Sequence, residues 1–214
     1  MKKEFIVMIG DLKGSTGIET KDRKILQRKL VSTYKKANIS FKRDLYAPIK
    51  ITLGDEIACV LTSPTNLYRI AVHLLNGIYP HQMRFVFVRG RVTAGLETKD
   101  VAIIDGPVFK KAGQYLSLVK RAKTDFIFDL GNPAKDEVLN SLGNLIVEIK
   151  HNWTETQRKV AKLYSELKNQ VKVARKLKVS QQNVAKTLKS ISWGKVYQAE
   201  NTMNKILFNY MNTT

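Results

Sequence analysis

The sequence predicts an α+β fold in which an antiparallel, ferredoxin-like sheet is covered by helices, followed by an all-helical C-terminal domain. Over the first 150 residues the predicted elements follow the order β, α, β, β, α, β, which is that of a split βαβ unit extended by further elements. From residue 151 onward, apolar side chains recur only at helical spacing. We therefore expect two domains, residues 1–150 and 151–214, with the helices of the first on one face of its sheet.

Alternating or continuous apolar runs predict the strands, and apolar residues three and four positions apart predict the helices. Glycine before Asp55 favours a hairpin between the second and third strands, because glycine adopts positive φ without a steric clash. Pro64 is expected early in the helix that follows them. The strands are predicted at residues 5–10, 48–53, 56–61, 84–95, 126–128 and 145–149, and the helices at residues 21–37, 63–78, 108–118, 135–142, 154–167, 170–177, 181–190 and 194–211.

The composition indicates a globular chain with an anionic partner. The 214 residues are 43% hydrophobic, which supports a substantial core, while 37 Lys and Arg against 18 Asp and Glu give a net charge of +19. Such a field favours nucleic acid, polyphosphate nucleotides or an anionic surface. Residues 151–214 alone carry 12 basic and 3 acidic side chains, so the helical segment is the denser in positive charge.

Cysteine and histidine usage excludes several classes of site. A single cysteine, Cys59, lies in an apolar strand pattern and is expected to be a buried core residue in a reducing compartment. The apolar run that ends at Asp11 is too short for a signal peptide, and no run approaches a membrane span, so we expect a cytoplasmic protein. His73, His81 and His151 are too scattered to predict a metal site.

Carboxylates at two predicted strand ends form the candidate site of the first domain. Asp11 ends the first strand and is followed by Leu12 and a Lys-Gly-Ser-Thr loop, while Asp55 and Glu56 lie at the tip of the hairpin. Oxygen ligands beside glycines are typical of a metal and phosphate site. The alternative is structural, because aspartate in turns and aspartate or serine before helices are common for conformational reasons alone.

The C-terminal segment predicts a helix-turn-helix. Ala174 is small where two helices would cross, Val179 is expected to fill the turn, Ser180 caps the next helix, and Val184 and Leu188 anchor it. Amide and lysine side chains on that helix are suited to base edges and phosphates of double-stranded DNA. The expected DNA-binding residues are Ser180, Gln181, Gln182, Asn183, Lys186, Thr187 and Lys189.

Two features of this segment keep other interpretations open. A plain helical hairpin with a basic, solvated face would show the same pattern. The last predicted helix carries one apolar stripe that would pack on the three-helix unit or on a second copy, and a homodimer would suit a palindromic operator.

Four stretches resemble the SatD family, whose members commonly end in a helix-turn-helix. They are residues 10–15 (Gly-Asp-Leu-Lys-Gly-Ser), residues 51–56 (Ile-Thr-Leu-Gly-Asp-Glu), residues 88–95 and residues 105–109. The family is similar to the catalytic domain of class III nucleotidyl cyclases and, more remotely, to diguanylate cyclases with their Gly-Asp-Glu hairpin. The resemblance implies an α+β domain that binds a metal and a nucleoside triphosphate.

The resemblance assigns roles to individual residues. Asp11 and Asp55 match the metal ligands of the cyclases, Glu56 resembles the extra acid of the diguanylate cyclases, and Mg²⁺ or Mn²⁺ is the implied ion. Lys110 and Gln114 stand where cyclases have an Asn and an Arg that orient ribose and stabilise charge on phosphate, and Ile51 stands where a base-selecting polar residue is expected. The residues expected to contact phosphate or nucleotide are Leu12, Lys13, Gly14, Ser15, Thr16, Arg91 and Lys110.

These observations lead to three hypotheses. The first, which we take as the expectation, is a DNA-binding transcriptional regulator whose cyclase-like domain senses a metal-nucleotide ligand and is not an enzyme. The second is an active metal-dependent nucleotidyl cyclase or nucleotidyltransferase. In the third, the acids are vestigial and the domain only dimerises.

Overall fold

The computed structural model describes residues 4–14 and 19–211. The chain divides into two compact units. Unit 1 comprises Met1–Ser141 together with Asn204–Thr214, and unit 2 comprises Leu142–Met203. No helix among the described residues is long and apolar enough to cross a membrane.

Unit 1 is built on a five-stranded sheet of order β2-β3-β1-β4-β5. The first four strands are antiparallel to their neighbours, as predicted, whereas β5 runs parallel to β4. The sheet is therefore mixed, and the expectation of a purely antiparallel sheet is corrected by this edge strand. The strands are β1 (Glu4–Leu12), β2 (Leu45–Leu53), β3 (Glu56–Leu61), β4 (Met83–Arg91) and β5 (Phe126–Asp129).

In the part of the chain that the structure describes, eight α-helices follow the predicted order with shifted ends. The second begins at Leu67, so Pro64 precedes it instead of lying in its first turn. The helices are α1 (Thr20–Ser40), α2 (Leu67–Ile78), α3 (Pro107–Ala122), α4 (Pro133–His151), α5 (Glu155–Leu167), α6 (Gln170–Leu177), α7 (Gln181–Ser190) and α8 (Trp193–Phe208).

Helices cover both faces of the sheet, which corrects the prediction of helices on one face. Strand alternation separates the side chains of β1 and β4 into two layers. Val7, Val86 and Val88 pack in one core cluster with apolar residues of α3. On the opposite face, Phe85 stacks on Phe126, which contacts Tyr68 of α2. Each layer is aliphatic or aromatic and buried, so the sheet lies between two hydrophobic cores.

The strand predicted at residues 145–149 is wrong, because these residues belong to α4. A short apolar run fits a buried strand and one face of a helix equally well. Ile146 and Val147 are buried while Leu145 is 57% exposed, which is the one-sided burial of a helix. The run predicted as a strand at residues 84–95 ends as a strand at Arg91, and a 3-10 turn at Leu96–Thr98 follows.

In unit 2, α5 begins with a capping box between Thr154 and Gln157. The Thr154 hydroxyl accepts a hydrogen bond from the Gln157 backbone nitrogen, and the Gln157 side chain accepts one from the Thr154 nitrogen. Ser180 caps α7 by accepting from the backbone nitrogen of Asn183 at 3.1 Å. Val179 is 42% exposed, so the expectation that it fills the turn between α6 and α7 is wrong.

Candidate functional site

A row of charged side chains crosses four strands at one end of the sheet in unit 1. Asp11 of β1 is paired in register with Glu56 of β3 on one side and with Arg84 of β4 on the other. Asp125 extends the row, because its carbonyl oxygen accepts a hydrogen bond from the backbone nitrogen of Phe85. By alternation, the first three side chains lie on the face of the sheet that α3 covers.

Asp11 is a buried acid of this row and lies between two cations. It is 5% exposed. The Nζ atom of Lys120, in the last turn of α3, lies 2.9 Å from Asp11 Oδ1, and an Nη atom of Arg84 lies 3.9 Å from Asp11 Oδ2. The same Lys120 nitrogen lies 3.3 Å from Glu56 Oε1. One ammonium group therefore bridges carboxylates on two neighbouring strands.

The charge of Lys120 is maintained by these carboxylates. Burial by itself lowers the pKa of Lys120, but the hydrogen bonds and charges of Asp11 and Glu56 outweigh it, so that the pKa is raised above its usual value. Lys120 consequently acts as a permanent cation at the end of the sheet.

Asp55 contributes a carboxylate oxygen that has no partner in the part of the chain that the structure describes. It follows Gly54, whose φ of +60° closes the turn between β2 and β3. Asp55 Oδ2 and the Nε atom of Arg84 are both buried without a hydrogen bond. An unpaired buried polar atom is costly, and it marks a position where a ligand, ion or water would restore the missing contact.

The loop after β1 carries the predicted phosphate-binding residues. The side chain of Leu12 is buried, Lys13 forms an ion pair with Asp125, and Gly14 is exposed with a φ of +68°. Ser15 and Thr16 lie outside the described residues. The left-handed conformation at Gly14 favours glycine, because a side chain there would be strained.

Arg91 and Lys110, also predicted to contact nucleotide, are not brought together with the acids. Arg91 pairs with Glu4 at the opposite end of β1 from Asp11. Seven residues of strand separate it from Arg84, a span of roughly 24 Å. Lys110 is exposed in the first turns of α3, ten residues before Lys120.

Gly10 lets β1 pack closely against the aromatic layer on the face of the sheet opposite Asp11. A Cβ atom at Gly10 would lie 2.8 Å from a ring carbon of Phe85 and 3.1 Å from a side-chain carbon of Ile57. Only a residue without a side chain fits this opposite face of the strand. The glycine before Asp11 is therefore required by packing against Phe85 and Ile57.

The acids at this end of the sheet do not have the arrangement of a complete metal site. No group of three or more His, Cys, Asp or Glu side chains among the described residues is arranged to hold a metal ion. The donors still fit Mg²⁺ or Mn²⁺ chemically, since Asp11, Asp55 and Glu56 supply carboxylate oxygens at adjacent strand ends. The ammonium of Lys120 lies between two of them, and the third has an unpaired oxygen.

Sequence reasoning missed Arg84, Lys120 and Asp125 as members of this site. Arg84 faces Asp11 only once the register of β1 and β4 is known, and Lys120 reaches the acids only once α3 is placed on the sheet. The available signals are the basic residue that begins the predicted strand at residues 84–95, Arg84, and the acidic residue directly before the strand at residues 126–128, Asp125.

The residues expected to contact DNA lie on the exposed side of α7, except for Thr187, which is half-buried. Several have structural partners. Ser180 caps the helix, and the Gln181 side chain donates to the side-chain oxygen of Gln170 at 2.7 Å. Gln182, Asn183, Lys186 and Lys189 are exposed.

The fold and the charged row define an α+β protein with a carboxylate site at one end of a mixed, ferredoxin-like sheet. A model of the SatD family matches residues 5–208. The chain belongs to the SatD family, as its Gly-Asp-Leu-Lys-Gly and Leu-Gly-Asp-Glu stretches suggest. Comparison with curated proteins gives no match.

Several solved structures that resemble part of the chain are nucleotidyl cyclases. A bacterial light-regulated adenylyl cyclase is 12% identical with a TM-score of 0.46, and the match covers 60% of this chain and 76% of that chain. The adenylyl cyclase CyaB from P. aeruginosa is 14% identical with a TM-score of 0.44, covering 55% and 73%. The guanylate cyclase domain of RhGC from Catenaria anguillulae, solved with GTP, is 18% identical with a TM-score of 0.43, covering 54% and 73%.

These comparisons correct the expected function. The prediction of a DNA-binding transcriptional regulator is wrong: the family model that spans residues 5–208 identifies a SatD chain, and none of the comparisons identifies a DNA-binding protein. The three helices α5, α6 and α7 form where they were predicted, and the SatD family model covers them together with unit 1.

Proposed function

We propose that unit 1 is a divalent-metal-dependent nucleotide domain with cyclase-like chemistry, acting as a nucleotidyl cyclase or nucleotidyltransferase. The observation that carries the proposal is the buried Oδ2 atom of Asp55, which has no hydrogen-bond partner among the described residues. Asp55 directly precedes Glu56, and Glu56 is the residue that pairs with buried Asp11 across β3 and β1. A fold without a ligand there gains nothing from an unsatisfied carboxylate oxygen at the end of a sheet. A cation held by these acids supplies the missing contact.

The acids would hold the metal and the surrounding cations would receive phosphate. Asp11, Asp55 and Glu56 are the ligands we assign to Mg²⁺ or Mn²⁺. A bound divalent cation at such a site polarises a phosphoryl oxygen and makes a hydroxyl a better nucleophile. Lys13, whose side chain is about one-fifth exposed, lies beside the turn at Gly14 and can attract the negative charge of a triphosphate to this end of the sheet.

The test is a thermal-shift panel with ATP, GTP, CTP and UTP, each with and without Mg²⁺ or Mn²⁺, followed by product analysis. We expect a metal-dependent stabilisation that Asp11→Asn and Asp55→Asn remove, since a ligand at ~100 times its Kd adds about 2.7 kcal/mol. Glu137→Gln is the matched control, because it removes one exposed carboxylate of the same unit.

Product analysis separates turnover from binding. A cyclic or oligomeric nucleotide that forms with the wild type and disappears with Asp11→Asn supports the enzyme. Stabilisation without any product, for every triphosphate with Mn²⁺, leaves a binding domain that senses the metal-nucleotide. A flat panel with all four nucleotides and both metals contradicts the proposal and favours acids that serve the structure alone.

A homodimer is part of the proposal, because nucleotidyl transfer between two bound nucleotides would require two such sites to face each other. Light scattering of the purified chain, with and without nucleotide and Mn²⁺, measures this directly. A strictly monomeric protein that still forms product would remove the dimer from the proposal.

A further inference from the structure

Lys120 connects two acids that belong to different strands. Its ammonium contacts Asp11 Oδ1 at 2.9 Å and Glu56 Oε1 at 3.3 Å. The two carboxylate oxygens can therefore be no further apart than the sum of these two distances. Two carboxylates this close repel each other unless a cation lies between them. The repulsion is poorly screened by water, because the side chain of Asp11 is only 6% exposed.

We propose that Lys120 is an internal counterion of the metal site, which holds Asp11 and Glu56 together until a divalent cation replaces its ammonium and then contacts the nucleotide phosphate. This inference rests on the proposed function of unit 1. It assigns two roles to one lysine of α3. Before metal binding Lys120 pairs with the two acids, and after metal binding it contacts the nucleotide phosphate.

The position of Lys120 permits such an exchange. Its side chain is 40% exposed and extends from the last turn of α3, so the ammonium can leave the acids without unfolding the helix. Lysine suits this role because its charge is compact and sits on a flexible four-carbon stem. Once released, a cation beside the acids lies where the phosphates of a metal-bound nucleotide would carry negative charge.

Arg84 is a poorer candidate for the same exchange. It contacts Asp11 at 3.9 Å, its side chain is 17% exposed, and it projects from the inner strand β4. A guanidinium held in this way stays beside Asp11 whether or not a metal is bound. We therefore assign the mobile role to Lys120 and leave Arg84 as a fixed neighbour of the acid.

The test compares Lys120→Met with Lys120→Arg and with Lys111→Met. Lys111 is the matched control, because it also projects from α3, is 47% exposed and forms an ion pair, in its case with Asp129 at 2.6 Å. Calorimetric titration with MnCl₂ alone measures the metal affinity, and titration with the nucleotide found in the thermal-shift panel, at saturating Mn²⁺, measures the phosphate contact. Circular dichroism confirms that each variant is folded.

We expect Lys120→Met to bind Mn²⁺ alone about five-fold more tightly and the nucleotide about five-fold more weakly, the factor that corresponds to a half-exposed ion pair. Lys120→Arg should have nearly the metal affinity of the wild type. Lys111→Met should have the metal affinity and the nucleotide affinity of the wild type. If Lys120→Met and the wild type bind Mn²⁺ equally well, or if nucleotide affinity is unchanged, the counterion role is refuted while the metal site stands. If neither protein binds Mn²⁺, the proposed function fails and the inference with it.

Discussion

Asp55→Asn should leave the metal-free protein as stable as the wild type or slightly more stable, although it removes a predicted metal ligand. Asp55 Oδ2 is buried and unpaired among the described residues. Asparagine has the same shape, carries no charge, and can place its oxygen inside and its amide nitrogen toward water. The substitution therefore removes an unfavourable charge and no favourable contact that the structure shows.

The magnitude follows from the exposure of the residue. An unsatisfied buried polar group costs about 1–3 kcal/mol, and the partial exposure of Asp55 places the effect at the low end. We expect the free energy of unfolding to rise by between zero and about 1 kcal/mol, which is a rise in Tm of up to ~4 °C for a chain of this size. Asp11→Asn should do the opposite and lower it by about 2 kcal/mol, because it removes the charge that faces Lys120 and Arg84.

The assay is urea unfolding of the metal-free protein in the presence of a chelator, with Glu137→Gln as the control, whose effect should stay within about 0.5 kcal/mol. Melting with Mn²⁺ then shows whether each variant has lost the stabilisation by metal. A loss of more than about 1 kcal/mol for metal-free Asp55→Asn would refute the reasoning. It would show that the carboxylate has a structural partner and is not kept for a ligand.

Three further predictions concern the architecture of unit 1. Tyr210→Phe should lower the free energy of unfolding by about 2 kcal/mol in urea melts, because the phenol oxygen accepts from the Asn132 backbone nitrogen at 2.8 Å. Gly95→Ala should cost about 2 kcal/mol, since φ is +74° and a Cβ atom would lie 2.7 Å from a carbonyl oxygen, whereas Gly113→Ala in open helix should cost nothing. A hydrogen bond to a carboxylate raises the pKa of Tyr115 to about 12, so this stabilisation is present below pH ~10 and is lost as the pH rises toward 12. Tyr115→Phe should flatten that part of the stability profile.

Local patterns were sufficient to predict most of the fold. Alternation and helical spacing located β1, β3 and the helices of unit 2, and the Gly54–Asp55 turn was predicted from glycine alone. The errors came from runs whose pattern fits two structures. The apolar run at residues 145–149 fits both a helix and a strand. It is helical because it lies within α4, which starts at Pro133.

The site was predictable only in part, because half of it depends on register. Asp11, Asp55 and Glu56 were found next to glycines in the sequence, yet the residue opposite Asp11 is Glu56 and not Asp55. A shift of one residue in pairing exchanges the two faces of a strand, and no local pattern fixes that shift between distant strands. Lys120 was missed for the same reason, since it lies 64 positions from Glu56 along the chain.

The ion pair between Asp11 and Lys120 can be measured directly with a double-mutant cycle of Asp11→Asn and Lys120→Met. Asp11 is buried, but Lys120 is 40% exposed, so solvent screening reduces the interaction well below that of a fully buried pair. We expect a coupling free energy of about 1 kcal/mol in urea unfolding of the metal-free protein. Because the counterion is needed only while the acids lack a metal, the cost of the single substitution Lys120→Met should fall toward zero at saturating Mn²⁺, with Asp11 intact. A coupling near zero without metal would mean that the 2.9 Å contact contributes nothing to the fold. Lys120 would then not act as a counterion of Asp11, and any role it has would be a contact with a bound ligand.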